Sequence, residues 1–330
     1  MTSIFLSNVI QNDPGVIVGP ITSFLGFIFN LIFNFVYSLT EAQSLGITII
    51  LLTIVVRFLM MPLAVKSQKS MMAMQKLTPQ IEAIKAKYGD IPKEDKEKQM
   101  LMNQEVQKVY TENNINPLAG CLPLLIQMPI FVALNYLMNN AYRYIAVIGD
   151  LYTGMAEKIM SMPGYEAVLT EISTPMLTKK LAETFDVTAI DQVLKVVNKM
   201  SIDSWTLLQE SFPSLQQPIT EFFTQKGSIE YFFGINLTEA SGASWPGILI
   251  PLLAGFTTFL TSYISQKQTS GTGSKDPQMK MQQNMMMVMM PIMMGFMTVN
   301  LTAGVGVYWI TSSVFQIFQQ LIIGKRMKNQ

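Results

Sequence analysis

Chemistry in this chain can start from one guanidinium set inside an apolar helix. Arg57 is the first basic residue from the N-terminus and the only charged residue in the run LGITIILLTIVVRFLMMPLAV, Leu45 to Val65. Arginine keeps its charge at any accessible pH. At mid-membrane it costs roughly 2.5–3.5 kcal/mol on insertion scales, so it is retained where it faces polar partners or water. A snorkelling arginine is the plainer reading, but Arg57 lies roughly 18 Å along a helix from Leu45, a long reach from either surface. The sharper reading is a hydrophilic pocket inside the membrane. There Arg57 would act by attracting polar and acidic groups, with no covalent step. Thr53 lies four residues earlier, on the same helical face. In the last apolar segment Trp309, Ser312, Gln316 and either Gln319 or Gln320 recur at three- and four-residue steps. The second segment adds Gln127 and Asn135, and the third Thr257, Thr258, Thr261 and Ser262. Hydroxyl residues in membrane helices often only bond their own backbone or join neighbouring helices, and that reading is favoured for the third segment.

Other chemistries are excluded by what the sequence lacks. There is no histidine, which removes histidine bases and the metal sites that depend on them. The single cysteine, Cys121, allows no intrachain disulfide and no four-cysteine metal site. No phosphate-cradling GxxxxGK[ST] or GxGxxG pattern occurs. No aspartate lies in any apolar segment, and no Ser/Lys, paired-Asp or HExxH arrangement fits a protease within the membrane. The expectation is a non-enzyme with no cofactor, no metal and no direct nucleic-acid partner.

The elements that must position these residues are membrane helices. Charged residues are only 14% of the chain, against about a quarter in soluble domains. Five apolar segments are long enough to span. The organisation expected is an external N-terminal segment (1–44), a first span (45–65), a cytoplasmic helical hairpin (66–116), a second span (117–145) and an external region (146–245). A third span (246–266), a cytoplasmic loop (267–284), a fourth span (285–303), a fifth span (304–323) and a short tail (324–330) follow. Another apolar stretch, 16–39, reads as an interfacial amphipathic helix, with a sixth span as the alternative; Asn30 and Asn34 leave one polar stripe on it.

Lysines set the orientation. Residues 1–56 have no Lys or Arg, whereas 66–113 carry nine lysines and 267–284 three. By the positive-inside rule the hairpin, that loop and the tail are cytoplasmic, with the N-terminus outside and the C-terminus inside. In the hairpin Met74, Leu77, Ile81, Ile84 and Tyr88 repeat at 3-4-3-4 spacing, Gly89-Asp90-Ile91-Pro92 supplies a turn, and a second helix runs from Lys93 to Thr111. It reads either as a solvated element without a partner or as a contact for an anionic surface or an arriving chain. Ten methionines fall between Met279 and Met297; they are either lipid-facing filler or an adaptable surface for variable apolar helices. The external region shows helical patterning at Met176–Phe185 and Gln192–Met200, and no catalytic spacing.

Together these residues resemble the YidC insertase family, with its mitochondrial and chloroplast relatives. TIVVRFLMMPL (53–63), KLTPQIEAIKAKYGD (76–90), NPLAGCLPLLIQMPIF (116–131), DPQMKMQQNMMMVMMP (276–291) and VYWITSSVFQIFQQLII (307–323) are similar to family segments in the family's order. The resemblance implies an all-α polytopic membrane protein of the plasma membrane. Five helices would enclose a hydrophilic groove lined by Arg57, Thr53, Trp309, Gln316 and Gln127. A hairpin with Met74, Leu77 and Ile81 would receive substrate, and an interfacial helix would lie outside. Its partners would be nascent membrane proteins and the lipid bilayer, with the ribosome and the Sec translocon as further candidates. Three departures stand out: residues 147–229 look like an insertion, no lipobox cysteine occurs near the N-terminus, and the seven residues after Ile323 supply no long basic ribosome-binding tail. The competing class is a solute or ion transporter with an intramembrane arginine; the paired half-repeats of that class are not evident.

Overall fold

The computed structural model describes residues 15–40, 42–89, 95–116, 122–177, 184–242, 245–269 and 285–328. The expected spans, hairpin turn and loop fall partly beyond them: 90–94, 117–121 with Cys121, and 270–284 lie outside the described residues. The chain is mostly helical and packs into two compact units. One comprises Met1–Leu52, Ile130–Ile250 and Thr298–Tyr308; the other comprises Thr53–Pro129, Pro251–Met297 and Trp309–Gln330.

In the first unit, α1 (Gly15–Thr40) is apolar on both sides. Leu25, Phe29, Phe33 and Val36 are buried at helical spacing, while Phe24, Phe27, Leu31, Phe35 and Leu39 are exposed. Of the polar stripe, Asn30 is put to use: its Oδ1 accepts from the Ala146 N–H at 3.0 Å, at the start of α7 (Ala146–Met160). That satisfies a donor that a helix start leaves open. α1 and the next helix, α2 (Ser44–Lys76), are long and apolar enough to cross a membrane over Val18–Thr40 and Ser44–Met74; Leu125–Asn139 and Met287–Val299 are shorter apolar helices.

Within the first unit residues 146–177 and 184–230 form a cluster of short helices. After α7 come α8 (Tyr165–Ser173), α9 (Ile190–Lys199), α10 (Ile202–Ser211) and α11 (Gln216–Glu230). Each turns a stripe inward: Tyr152, Met155 and Ile159 on α7, Val193, Val196 and Val197 on α9, Trp205 and Leu208 on α10, Ile219 and Phe222 on α11. The patterning at Gln192–Met200 matches α9. Of the patterning expected at Met176–Phe185, residues 178–183 lie outside the described residues. Pro175 has no N–H to continue the ladder of α8, so the chain tightens into a 3₁₀ turn at Thr174–Met176 and is extended at Leu177. α11 leads into a two-residue antiparallel pair, β1 (Tyr231–Phe232) with β2 (Ile235–Asn236). Strands this short carry no alternating pattern in the sequence.

The segment after β2 is pinned to the connection before the last helix. Gly242 and Ser241 donate from their backbone N–H groups to the Val299 and Leu301 carbonyls at 3.0 Å each, and Ala303 and Gly304 donate to Glu239 and Leu237 at 2.8 Å each. A side chain on Gly304 would run into Leu237, Ile49 and Met138, so the close approach requires glycine there.

In the second unit α2 does not stop at the edge of its apolar run but continues to Lys76, so Met74 lies in its last turn. Pro79 then prevents continuation, and Leu77 becomes the junction to α3 (Thr78–Tyr88). The second hairpin helix, α4 (Lys96–Glu112), begins at Asp95, whose Oδ1 accepts from Lys98 N–H at 3.1 Å. α5 (Leu122–Asn139), the short α6 (Ala141–Tyr144), α12 (Leu249–Thr269), α13 (Met290–Val299) and α14 (Ala303–Lys328) complete the helices used below. α12 and α13 touch backbone to backbone: a Cβ on Gly255 would sit 3.3 Å from the Pro291 carbonyl and 3.7 Å from the Gly295 Cα.

Candidate functional site

Arg57 on α2 donates from Nε to Ser312 Oγ on α14 at 2.7 Å, and its Nη2 donates to the same oxygen. Ser312 is 2% exposed. The fork of a guanidinium thus closes on one hydroxyl, whose two lone pairs accept both N–H groups while its own hydrogen can donate onward. Ser312 neutralises nothing, being uncharged, and none of the five apolar segments contains Asp or Glu. Phe58, beside Arg57 on α2, meets Phe315 of α14 edge to face at 5.2 Å, so an apolar contact fixes the same pair of helices.

A second polar crossing lies one turn earlier on α14. Trp309 donates from its indole Nε1 to Thr258 Oγ1 at 2.8 Å, and that hydroxyl donates to the Ala254 carbonyl at 2.7 Å. Thr261 bonds the Thr257 carbonyl at 2.8 Å and reaches the Ser313 carbonyl of α14 at 3.4 Å. The α12 hydroxyls therefore do both things expected of them, serving their own backbone and joining a neighbour. Thr258 is also the partner of Trp309, which its spacing alone did not reveal.

The other predicted residues fall as follows. Thr53 is fully buried one turn before Arg57, and Gln127 is buried on α5. Gln316, half-buried, is one turn beyond Ser312 on α14, and Gln319 and Gln320 are buried further along it. In the hairpin Leu77 and Ile81 are buried while Met74 is half-buried. α4 buries none of its residues. Lys87 Nζ pairs with Glu105 at 2.9 Å across the hairpin, and this pair holds the Glu105 carboxyl below and the Lys87 ammonium above their ordinary values. The methionines Met285, Met289, Met293 and Met297 are exposed, whereas Met294 is buried.

Two features of residues 139–239 went unread in the sequence. The first is a buried polar cluster. Glu230, 2% exposed, accepts from Thr238 Oγ1 at 2.7 Å and lies 3.6 Å from Lys226. Burial pushes its carboxyl up, against the pull of Lys226 and the Thr238 bond. Burial works against the Lys226 charge too, yet the neighbouring Tyr152 and Glu230 hold its pKa above the ordinary value. Lys199 is pushed down to about 8, first by burial and then by the Lys226 charge; its Nζ reaches Asn139 Oδ1 at 3.4 Å. The second feature is an open cleft of about 360 Å³ lined by Thr170, Thr174, Phe185 and Asp186, among others, which touches none of the predicted residues. Among the described residues no group of His, Cys, Asp and Glu could hold a metal ion.

Comparison with known proteins gives a consistent answer. The family model described as 60Kd inner membrane protein matches residues 35–330. A relative from Oceanobacillus iheyensis named "Membrane protein insertase YidC" is 30% identical over 285 residues, covering 86% of this chain and 76% of its own. "Membrane protein insertase YidC 1" of Lactococcus lactis is 28% identical over 283 residues, 86% of this chain and 69% of its own. A third, "Membrane protein insertase YidC" of Clostridium perfringens, is 37% identical over 171 residues, 49% of this chain and 68% of its own.

Proposed function

The chain belongs to the 60Kd inner membrane protein family, and from that premise we propose that it is a membrane protein insertase. It moves hydrophilic segments of nascent membrane proteins across the bilayer and releases their apolar helices into lipid. In this reading α2, α5, α12, α13 and α14 cross the membrane, with the N-terminus outside and the C-terminus in the cytoplasm. The lysine distribution supports that orientation. α1 lies along the outer interface, with Phe24, Phe27, Leu31 and Phe35 turned to lipid.

One observation carries the mechanism: a permanent charge within an apolar helix, held by the neutral hydroxyl of Ser312. A hydrophilic segment loses several kcal/mol per unsatisfied or charged group on entering hydrocarbon. A wet groove beside Arg57, open to the cytoplasm and to lipid, shortens the dry path. Arg57 attracts acidic and polar groups of the incoming segment, and Thr53, Gln127, Trp309 and Gln316 line the groove around it. The hairpin receives the substrate at the cytoplasmic face. Transfer of the adjacent apolar helix into lipid, at roughly 25 cal/mol per Å², drives the step without nucleotide hydrolysis. Arg57 acts by electrostatics throughout, as neither nucleophile nor base.

Site-specific photocrosslinking from positions 53 and 309 to a nascent membrane protein tests the reading. Crosslinks to the translocating segment are expected. Crosslinks to lipid alone at both positions would sink it.

A further inference from the structure

The turn between β1 and β2 places a phenylalanine where the backbone resists one. Phe233 has φ +48° and Gly234 φ +78°, and the flanking pairs are Phe232–Ile235 and Tyr231–Asn236. Two consecutive left-handed residues make a tight hairpin loop that ordinarily takes Asn, Asp or Gly at its first position. A bulky residue in that conformation is a genuine outlier. Phe233 meets Phe232 edge to face at 4.6 Å, yet it is 78% exposed, so packing inside the protein covers little of it. Strain kept at an exposed tip points to a partner outside the fold.

The surroundings identify that partner. Phe232 lies over Gly46, where any added side chain would collide with its ring, so the hairpin covers the first turns of α2. On its other side Gly234 is in contact range of Pro246, just before α12 begins at Leu249. The hairpin is thus wedged at the point where two long apolar helices start. Beside it Trp245 is 74% exposed, and exposed Tyr231, Ile248 and Leu249 continue the surface. No residue from Tyr231 to Asn236 is charged. Tryptophan and tyrosine collect at the membrane–water boundary, where an apolar ring with a polar edge suits both media.

We propose that Phe233 and Trp245 form an aromatic anchor that inserts into the headgroup–acyl boundary of the outer leaflet and fixes the depth of the external ends of α2 and α12. The inference rests on the reading that these helices cross the bilayer, and it adds a lipid-binding surface separate from the Arg57 site. Tyr231 completes the patch from the side. Lipid contact adds to the edge-to-face contact with Phe232 in offsetting the backbone strain at Phe233.

Trp245 is its own probe. In vesicles of phosphatidylcholine carrying bromine near the headgroup, a protein with Trp205→Phe and Trp309→Phe should lose roughly half of its emission. Loss should be smaller with bromine near the chain ends, and aqueous iodide should quench weakly. The difference between wild type and Trp245→Phe gives the same measurement with Trp205 and Trp309 retained. Phe233→Asn suits the left-handed turn, keeps the hairpin and should reduce the quenching of Trp245 by bromolipid; unchanged quenching would remove Phe233 from the anchor. A Leu51→Trp reporter, seven residues into α2 from Ser44, separates the two readings. If it is quenched by lipid while Trp245 responds only to iodide, the anchor is wrong and the spans stand. If neither is quenched by lipid, the membrane placement fails and the anchor falls with it.

Discussion

Arg57 and Ser312 are 255 residues apart in the chain and joined by two N–H groups on one oxygen. The arrangement fixes the plane of the guanidinium through a group that is itself uncharged. A carboxylate in the place of Ser312 would neutralise the Arg57 charge and end the role proposed for it as an attractor for substrate. A hydroxyl orients it and no more. This is the arrangement expected where the charge itself is the working part.

Arg57→Ala should therefore abolish the attraction and leave the Ser312 oxygen without its donor. A lost hydrogen bond to a charged group costs about 1.5–3 kcal/mol, so insertion of substrates with charged external segments should fall roughly ten-fold or more. Arg57→Lys should preserve most of the activity, since an ammonium keeps the charge. Insertion of a reporter into membrane vesicles is the measurement, and equal loss in both variants would show that the guanidinium fork, not the charge, is required.

Ser312→Ala should keep the charge but free the fork. The expected outcome is a moderate drop in activity, smaller than that of Arg57→Ala, with broader crosslinking from Arg57-adjacent positions. A Ser312→Ala protein as inactive as Arg57→Ala would mean that orientation matters as much as charge.

How far the sequence reached follows from the range of each signal. The charge at Arg57 and the polar face of α14 were legible because helical periodicity is local and 3–4 spacing names a face. Their pairing was not, because a face does not say which turn of a distant helix it meets. Trp309 was singled out, yet its acceptor Thr258 was read mainly as a residue serving its own backbone, since a threonine four residues from Ala254 always has that option. α1 stayed ambiguous for a physical reason: it is apolar on both faces, one packed and one exposed, and length alone does not distinguish spanning from lying flat. In the buried polar cluster Lys226 and Glu230 stand four apart on α11, but Tyr152 and Thr238 come from other segments and their convergence leaves no local trace.

The hairpin should be the least protected helical element. α4 buries no residue, and α3 buries only Thr78 and Ile81. The Lys87–Glu105 pair that crosses it is exposed, and such pairs contribute little. Elements with few buried contacts open at low free energy. Amides near Val106 should exchange faster than those near Leu134 of α5, which is almost fully buried. Equal protection in a hydrogen-exchange experiment would make the hairpin a rigid scaffold.

Residues 147–229 should be dispensable for insertion itself, because the Arg57 site draws no residue from them. Joining Ile145 to Ser228 removes α7 to α10 and most of α11, and with them Lys226 and the core that encloses Glu230. The truncated protein should therefore be active but thermally weaker, because that core goes with the deletion. Rescue of insertase-depleted cells is the readout; a stable, membrane-inserted truncation that fails to rescue would assign the domain an essential task.

Lys199 gives the helices around it a defined pH response. Its ammonium is depressed to about 8 by burial and by the Lys226 charge, while an unfolded lysine titrates near 10.5. Between those values the unfolded chain holds a proton that the folded one has released, so stability rises with pH across roughly 8 to 10.5. Below pH 8 both states are protonated, and the cost of the buried charge is present in full, on the order of 3 kcal/mol. Lys199→Met removes the charge and keeps the apolar stem. The variant should melt higher than wild type at pH 7, and its advantage should shrink as the pH approaches 10.5. Thermal unfolding of both proteins at a series of pH values decides it: a constant difference across that window would mean that Lys199 keeps its proton and that its surroundings solvate the charge.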